Sequence, residues 1–211
     1  MFDEISFLFF VGSVILYASL LFYRFRSKKP FKLTLYNMIY QDWVKNRMNK
    51  NEIATVQYLR NFQVGNSTLI SALFVLLGIL LGLYNSSFLD STPFFGSEEI
   101  TLGLVKIALN AGIIIFSILN FILSLRSITR LSILISGNPE NYKLDEVNGL
   151  DETKKAFITA KNHWMVGIRS LFYLTASLIW FINPVIFMSL TAIITIYLIL
   201  LRDIRAVRKK K

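Results

Sequence analysis

The sequence contains no cysteine and a single histidine, His163. Without cysteine the chain has no disulfides, no cysteine zinc sites and no thiol nucleophile, and one histidine excludes a multi-histidine metal site within one chain. It also has no Gly-rich phosphate loop, no Ser/His/Asp set and no nucleotide fingerprint. We therefore expect a non-enzymatic protein that needs no cofactor and no metal.

Charge is also scarce, since only 17% of residues are Asp, Glu, Lys or Arg, while 54% are hydrophobic and the mean hydropathy is +0.53. A soluble fold of 211 residues cannot hide that much apolar surface, but a bilayer can take it. The composition predicts an all-α polytopic transmembrane helical bundle forming one domain, 1–211. The apolar runs predict five spans, at 5–23, 64–84, 102–125, 164–182 and 185–201.

The last two spans come from one run, Trp164 to Leu201, that holds a single charge, Arg169. As one helix it would be about 57 Å long at 1.5 Å per residue, against a hydrocarbon core of about 30 Å. Asn183-Pro184 lies in its middle and favours a turn, so we expect a tight hairpin of two spans. The alternative is four spans, with 164–182 as a re-entrant or buried helix.

The formal net charge is +10, and its distribution favours five spans. Lys and Arg number 9, 6 and 6 in the segments 24–63, 126–163 and 202–211. They are absent from 1–4, 85–100 and 183–184. The positive-inside bias therefore places the N-terminus outside and the C-terminus inside, in the cytoplasmic membrane. The basic inner segments predict contact with anionic lipid headgroups rather than with nucleic acid.

The inner segments carry further signals. Apolar residues at helical spacing predict a helical cytoplasmic segment, 34–63, near the membrane surface. A helix beginning at Glu52, with Asn51 as its cap, is expected to run into the second span. The second inner segment, 126–163, is expected to be a loop that breaks at Gly137-Asn138-Pro139, with a solvated stretch from Asn138 to Lys155. The tail 202–211 is basic.

One face of the third span is polar along nearly its whole length. Its members fall within about 80° at 100° per residue: Lys106, Asn110, Ser117, Asn120 and Ser124. Two interpretations remain open. The stripe either forms hydrogen bonds between helices or lines a hydrated path through the bundle.

On the second span small residues share one face, namely Ser67, Ser71, Gly78 and Gly82, and this pattern predicts close helix packing within or between chains. Inward of it, Gln57, Arg60 and Asn61 form one patch, with Asp42 or headgroups as partners for Arg60. If ions cross, the basic residues at the inner side, Arg60, Arg126 and Arg169, favour anions.

The chain resembles a family of prokaryotic and plant membrane proteins named domain of unknown function 599. The similar residues are Asp42-Trp43-Val44, Met48, Ala54 to Asn61 with its Val-Gln-x-x-Arg-Asn core, Gly167, Arg169, Tyr173, Trp180 to Pro184, Tyr197 and Asp203. Family members usually read Ala-Val-Gln and Phe-Gly-Pro. Here Thr55 separates Ala54 from Val56, and Asn183 replaces that Gly. The resemblance implies a multi-span helical membrane protein and no particular activity.

Three functions compete. The first is a homo-oligomeric ion channel or small-solute carrier whose inner mouth lies near Gln57, Arg60 and Asn61, since five spans are few for a one-chain transporter. The second is a non-catalytic membrane adaptor whose basic inner face binds anionic lipid or an acidic partner. A lipid-directed enzyme is the least favoured, because no span carries a clustered acid and base.

Overall fold

The computed structural model describes residues 2–26, 32–47, 52–85, 91–137, 139–144 and 147–203. Its α-helices are α1 (Phe2–Arg26), α2 (Lys32–Arg47), α3 (Glu52–Gly82), α4 (Leu102–Ser136), α5 (Gly149–Ile179) and α6 (Pro184–Tyr197). Two small antiparallel hairpins, β1 (Pro93–Phe94) with β2 (Ser97–Thr101) and β3 (Lys143–Leu144) with β4 (Val147–Asn148), lie in the connections before α4 and α5. The predicted all-α fold class is confirmed.

Within the described residues, three helices are long and apolar enough to cross a membrane: Phe2–Tyr23, Ile53–Gly82 and Leu102–Ser136. They cover the first and third predicted spans and residues 64–82 of the second. A shorter apolar helix, Pro184–Leu200, lies at the position of the last predicted span and consists of α6 and the first residues of the π-helix Leu198–Asp203 that follows it. The fourth predicted span, 164–182, lies in the second part of α5, and the five-span count stays a prediction.

The predicted break between the last two spans is confirmed. Helix α5 ends at Ile179, residues 180–182 form a turn, and α6 begins at Pro184. The side-chain oxygen of Asn183 accepts hydrogen bonds from the backbone N–H groups of Val185 (2.8 Å) and Ile186 (3.2 Å). Asn183 is thus an N-cap followed by proline in the first helical turn, where the missing N–H costs nothing.

The prediction of a loop over 126–163 is wrong for most of that range. Helix α4 continues to Ser136 and α5 begins at Gly149, so the connection covers only 137–148. The start of α5 is polar but amphipathic, because it buries Ala156, Phe157 and Ala160. Acidic residues in its first turn also suit the helix dipole. Polarity alone therefore predicted a loop where the structure has a half-buried helix.

Within the predicted helical segment 34–63, residues 34–47 belong to α2 and residues 52–63 to the start of α3. Helix α3 begins at Glu52 and continues without a break to Gly82, as expected. Asn51, the predicted cap, and residues 204–211 of the basic tail lie outside the described residues.

The chain forms two compact units. Unit 1 comprises residues 1–34, 76–115 and 170–211. Its core joins α1 to α6 and to the end of α5 through aromatic rings. Phe10 lies 5.8 Å from Tyr173 in an edge-on contact, and Trp180 stacks on Phe187 at 5.2 Å. Such ring pairs add specific attraction to the burial of their surface.

Unit 2 comprises residues 35–75 and 116–169. Its core includes Val44, Leu59, Ile128, Leu131 and Phe157. Rings from three helices, Tyr40, Trp43, Tyr58 and Phe157, pack on one another with centroids 5.2–6.3 Å apart. These rings attach α2 to α3 and α5 within this unit.

Candidate functional site

The polar stripe of α4 is buried throughout. All five of its members are buried, and Asn110, Ser117 and Ser124 are fully inaccessible. Because an unpaired polar group away from water is costly, the partners of these side chains decide between the two interpretations of the stripe.

In unit 1 the stripe begins with an ion pair. The Lys106 ammonium lies 3.2 Å from Oδ1 of Asp3, which comes from the first turn of α1. The indole Nε1–H of Trp180 donates to the same Asp3 oxygen at 2.9 Å. Lys106 also lies over the Trp180 ring, with Nζ 5.5 Å from the centroid. A buried cation is thereby matched by a carboxylate and an aromatic face.

Asn110 follows one turn later in the same unit. Its amide nitrogen donates to the backbone carbonyls of Lys106 (2.9 Å) and Ser177 (3.3 Å), and its amide oxygen accepts from the Ser177 hydroxyl at 2.8 Å. Both ends of this buried amide are therefore satisfied by α4 and α5.

In unit 2 the stripe also faces α5. Asn120 lies 3.2 Å from Nδ1 of His163 and donates to the Phe116 carbonyl at 2.9 Å. The Ser124 hydroxyl donates to the Ala160 carbonyl at 2.8 Å. In both units the polar groups of α4 thus serve hydrogen bonds between helices, and this geometry supports the packing interpretation over a hydrated path inside one chain.

The patch of Gln57, Arg60 and Asn61 lies on the surface of α3, where all three side chains are exposed. Arg126, on α4 in the same unit, is exposed too, whereas Arg169 on α5 is buried. Asp42, proposed as a partner for Arg60, accepts a hydrogen bond from the Asn46 amide at 3.0 Å. The helix places the three patch residues together, and their role as a pore mouth stays a prediction.

The small-residue face of α3 is open. Ser67, Ser71, Gly78 and Gly82 are all exposed. A Cβ placed on Gly78 or Gly82 would meet no described atom within 4 Å. The part of this face in unit 2 forms a groove of about 600 Å³ lined by Gln63, Val64, Ser67, Thr68, Ser71, Ala72 and Val75. Close packing of the two glycines against another described part of the same chain is therefore not observed.

Sequence analysis missed a second buried lysine, Lys161 on α5. Its ammonium donates to the side-chain oxygen of Asn37 and lies 5.5 Å from the centroid of the Tyr40 ring, both on α2. Burial, and then the nearby charge of Arg169, lower the pKa of Lys161 to about 8. Asn37 and Lys161 are 124 positions apart, so no local spacing reveals the contact. One sequence feature could have indicated its burial, because Lys161 comes four residues after Phe157 and so lies on the apolar face of α5.

These features define an all-α protein in which three helices of the described residues are long and apolar enough to cross a bilayer. The chain belongs to the family described as Protein of unknown function, DUF599, whose model matches residues 5–207. The resemblance seen in the sequence is thereby confirmed. No curated protein and no solved structure matches the chain. The family gives no activity, so any function must come from the geometry.

Proposed function

We propose that the protein is a homo-oligomeric ion channel or small-solute carrier whose subunits meet along the exposed small-residue face of α3. The inner mouth of the shared pathway lies near Gln57, Arg60 and Asn61. One observation carries this proposal: α3 is a 31-residue apolar helix whose small and polar residues are exposed on one face.

Polar side chains are disfavoured against lipid, and small residues let helix backbones approach closely. Thr68 lessens the cost by donating to the Val64 carbonyl of its own helix at 3.0 Å. Ser67 and Ser71 share its groove. A second copy of α3 would cover this groove, whereas acyl chains would leave its hydroxyl groups without partners outside the helix.

The buried stripe of α4 supports a pathway between chains rather than within one. Lys106, Asn110 and Ser124 are already bonded to groups of their own chain. Opening a wet path along them would require breaking those bonds. A pathway at a subunit contact needs no such change, and the exposed Arg60 would favour anions at its inner end.

Cross-linking tests the subunit contact, and the absence of cysteine gives a clean background. We expect Ser71→Cys to yield covalent oligomers with a thiol-specific cross-linker in native membranes. Ile193→Cys, on the exposed side of α6 at 62% exposure, is the matched control and should stay monomeric. Equal yields for the two variants, or none for Ser71→Cys, would contradict the contact.

Flux through liposomes tests the pathway. We expect Arg60→Ala to reduce the preference for anions over cations, because it removes a fixed positive charge at the inner mouth. Lys155→Ala is the control, since its side chain is 74% exposed and pairs with Glu152 of its own helix. Unchanged selectivity of Arg60→Ala in a functioning flux assay would remove Arg60 from the pathway.

A second candidate function is a membrane adaptor that binds an acidic partner. The exposure of Arg60, Arg126 and Arg130 in unit 2 favours it. A complex held by such exposed charges should dissociate as ionic strength rises, because the Debye length shrinks from about 10 Å at 0.1 M to about 3 Å at 1 M. A partner that stays bound at 1 M salt would exclude this function.

A further inference from the structure

Helix α2 has two different faces. On its inner face Tyr40, Trp43 and Val44 pack into the core of unit 2, and Val44 is fully buried. The Trp43 ring lies 5.2 Å from the ring of Tyr58 on α3 and 5.3 Å from that of Phe157 on α5. The described part of unit 2 therefore holds α2 from one side and leaves its other side uncovered.

The outer face of α2 is apolar over its first turns. Leu35, Met38 and Ile39 are 47%, 62% and 51% exposed. Their i, i+3, i+4 spacing puts them on one side of the helix, opposite Val44, and we call these three residues the α2 patch. Helix α2 has 16 residues, four of them charged, so it is too short and too polar to cross a bilayer. Its exposed apolar side chains therefore do not belong to a spanning helix, and their grouping indicates an interaction surface.

The contact of α2 with α3 limits the distance of α2 from the hydrocarbon core of a membrane. If α3 crosses the bilayer, as the proposed function requires, the crossing stretch needs about 20 residues and ends no later than the helix itself, at Gly82. That stretch then begins no later than about residue 63. Tyr58, on which Trp43 packs, precedes this point by about 8 Å at 1.5 Å per residue. The headgroup layer is about 5–8 Å thick on each side, so α2 lies beside it.

The exposed charge of unit 2 is mostly positive. Among its described side chains, Lys45, Arg60 and Arg126 are exposed and take part in no ion pair. On the acidic side only Asp42 lies outside the ion pairs described in this unit. An anionic lipid surface attracts such cations and accepts apolar side chains at the boundary between headgroups and acyl chains. A second copy of the same surface would instead bring like charges together.

We propose that the α2 patch is a docking surface for an anionic membrane surface, into which Leu35, Met38 and Ile39 insert at the depth of the headgroups. Lys45 follows Met38 by seven residues, which places it on the same side of the helix, where its ammonium meets lipid phosphates. The patch lies on α2 and shares no residue with the proposed subunit contact along α3. Both proposals require that α3 crosses the bilayer.

Fluorescence quenching in proteoliposomes tests the docking surface, and the absence of cysteine allows single labels. We expect phospholipids with a spin label near the headgroup to quench a fluorophore at Ile39→Cys about threefold more than one at Gln41→Cys. Gln41 is the matched control, because it is exposed and lies about 160° from Ile39 around the same helix. Equal quenching at the two positions would overturn the docking surface.

A third label separates the failure of this proposal from that of the shared pathway. Ile79 of α3 is 60% exposed in the apolar part of that helix, so a fluorophore at Ile79→Cys should be quenched if α3 crosses the bilayer. Quenching at Ile79→Cys without quenching at Ile39→Cys would overturn the docking surface alone. Quenching at neither position would overturn both proposals.

Lipid composition tests the role of charge. Quenching at Ile39→Cys should fall about twofold or more when phosphatidylcholine replaces phosphatidylglycerol. In phosphatidylglycerol vesicles, adding Lys45→Gln should lower it too, whereas Lys155→Gln, whose side chain is 74% exposed on α5, should not. Quenching that depends on neither the lipid charge nor Lys45 would overturn the anionic surface as the occupant. Cross-linking between copies at an unquenched Ile39→Cys would assign the patch to a second copy instead and overturn the proposal.

Discussion

Among the side chains that the structure describes, each unit of the molecule buries one lysine, and the two lysines have different partners. Lys106 of unit 1 has a carboxylate partner, Asp3, and a ring, Trp180. Lys161 of unit 2 has a neutral amide, Asn37, and a ring, Tyr40. The aromatic contact is the same 5.5 Å in both. The difference is the counter-charge, because the described residues give Lys106 a carboxylate partner and give Lys161 none.

The largest expected loss of stability follows from breaking the ion pair between Lys106 and Asp3. Asp3→Asn leaves the Lys106 charge buried without its carboxylate and should lower the free energy of unfolding by about 2–3 kcal/mol. Asp151→Asn is the control, because Asp151 is 69% exposed and pairs with Lys154 on the surface of α5. That change should cost under about 0.5 kcal/mol. Denaturant titration in detergent compares the two, and equal losses would show that Lys106 does not depend on Asp3.

Replacing each lysine by methionine should change the free energy of unfolding in different directions. Lys106→Met should destabilise by about 2 kcal/mol, since it leaves Asp3 without its cation. Lys161→Met should be neutral or stabilising by about 1 kcal/mol, because it removes a buried charge with no described counter-charge. The same denaturant titration measures both. A strong loss in Lys161→Met would mean that Lys161 already has its compensation.

The missing counter-charge at Lys161 should also make the free energy of unfolding depend on pH. The folded-state pKa of Lys161 is about 8, below its ordinary value of 10.5, so between these values the unfolded chain binds more protons than the folded one. Stability from this group therefore rises as the pH increases through that window and is lowest below pH 8. The difference in unfolding free energy between wild type and Lys161→Met, measured from pH 7 to 10, should shift in favour of wild type as the pH rises. A difference that is constant with pH would contradict a lowered pKa of Lys161 in the folded chain.

The smallest effects concern the neutral members of the α4 stripe. Ser177→Ala removes the donor to the Asn110 oxygen and should cost about 0.5–1 kcal/mol. Thr175→Ala on the same helix is the control, because Thr175 is exposed and its hydroxyl donates to the Leu171 carbonyl of its own helix. Thermal unfolding in detergent would resolve the two, and a loss above about 2 kcal/mol for Ser177→Ala would indicate a larger network than the one described.

Sequence patterns predicted the long helices well, because apolar length and the Asn183-Pro184 signal are local properties. They also placed the α4 stripe on one face, since that follows from a helical repeat alone. The partners of the stripe were not predictable, as Asn110 and Ser177 are 67 positions apart. Helix α2 was assigned the right helical state, but the spacing of its apolar residues does not show which of them pack on another helix. Of its apolar residues Leu35 and Ile39 stay exposed, while Tyr40 and Trp43 pack on Phe157.

At the start of α5 the sequence predicted too little structure. Its charged residues indicated a solvated loop, yet the helix buries one narrow stripe and keeps surface ion pairs such as Lys154 with Asp151 on the other side. Lys161 lies on the buried side, and a count of charges cannot distinguish it from the exposed Lys155. Tertiary contacts decide which of these two lysines on one helix is buried.

The mass of the purified protein in mild detergent, corrected for bound detergent, tests the proposed shared pathway most directly. We predict a closed assembly of four or more copies of the 211-residue chain. Such an assembly should dissociate when Gly78→Leu and Gly82→Leu block close approach along α3. A monomer or dimer in wild type would contradict a pathway formed between subunits.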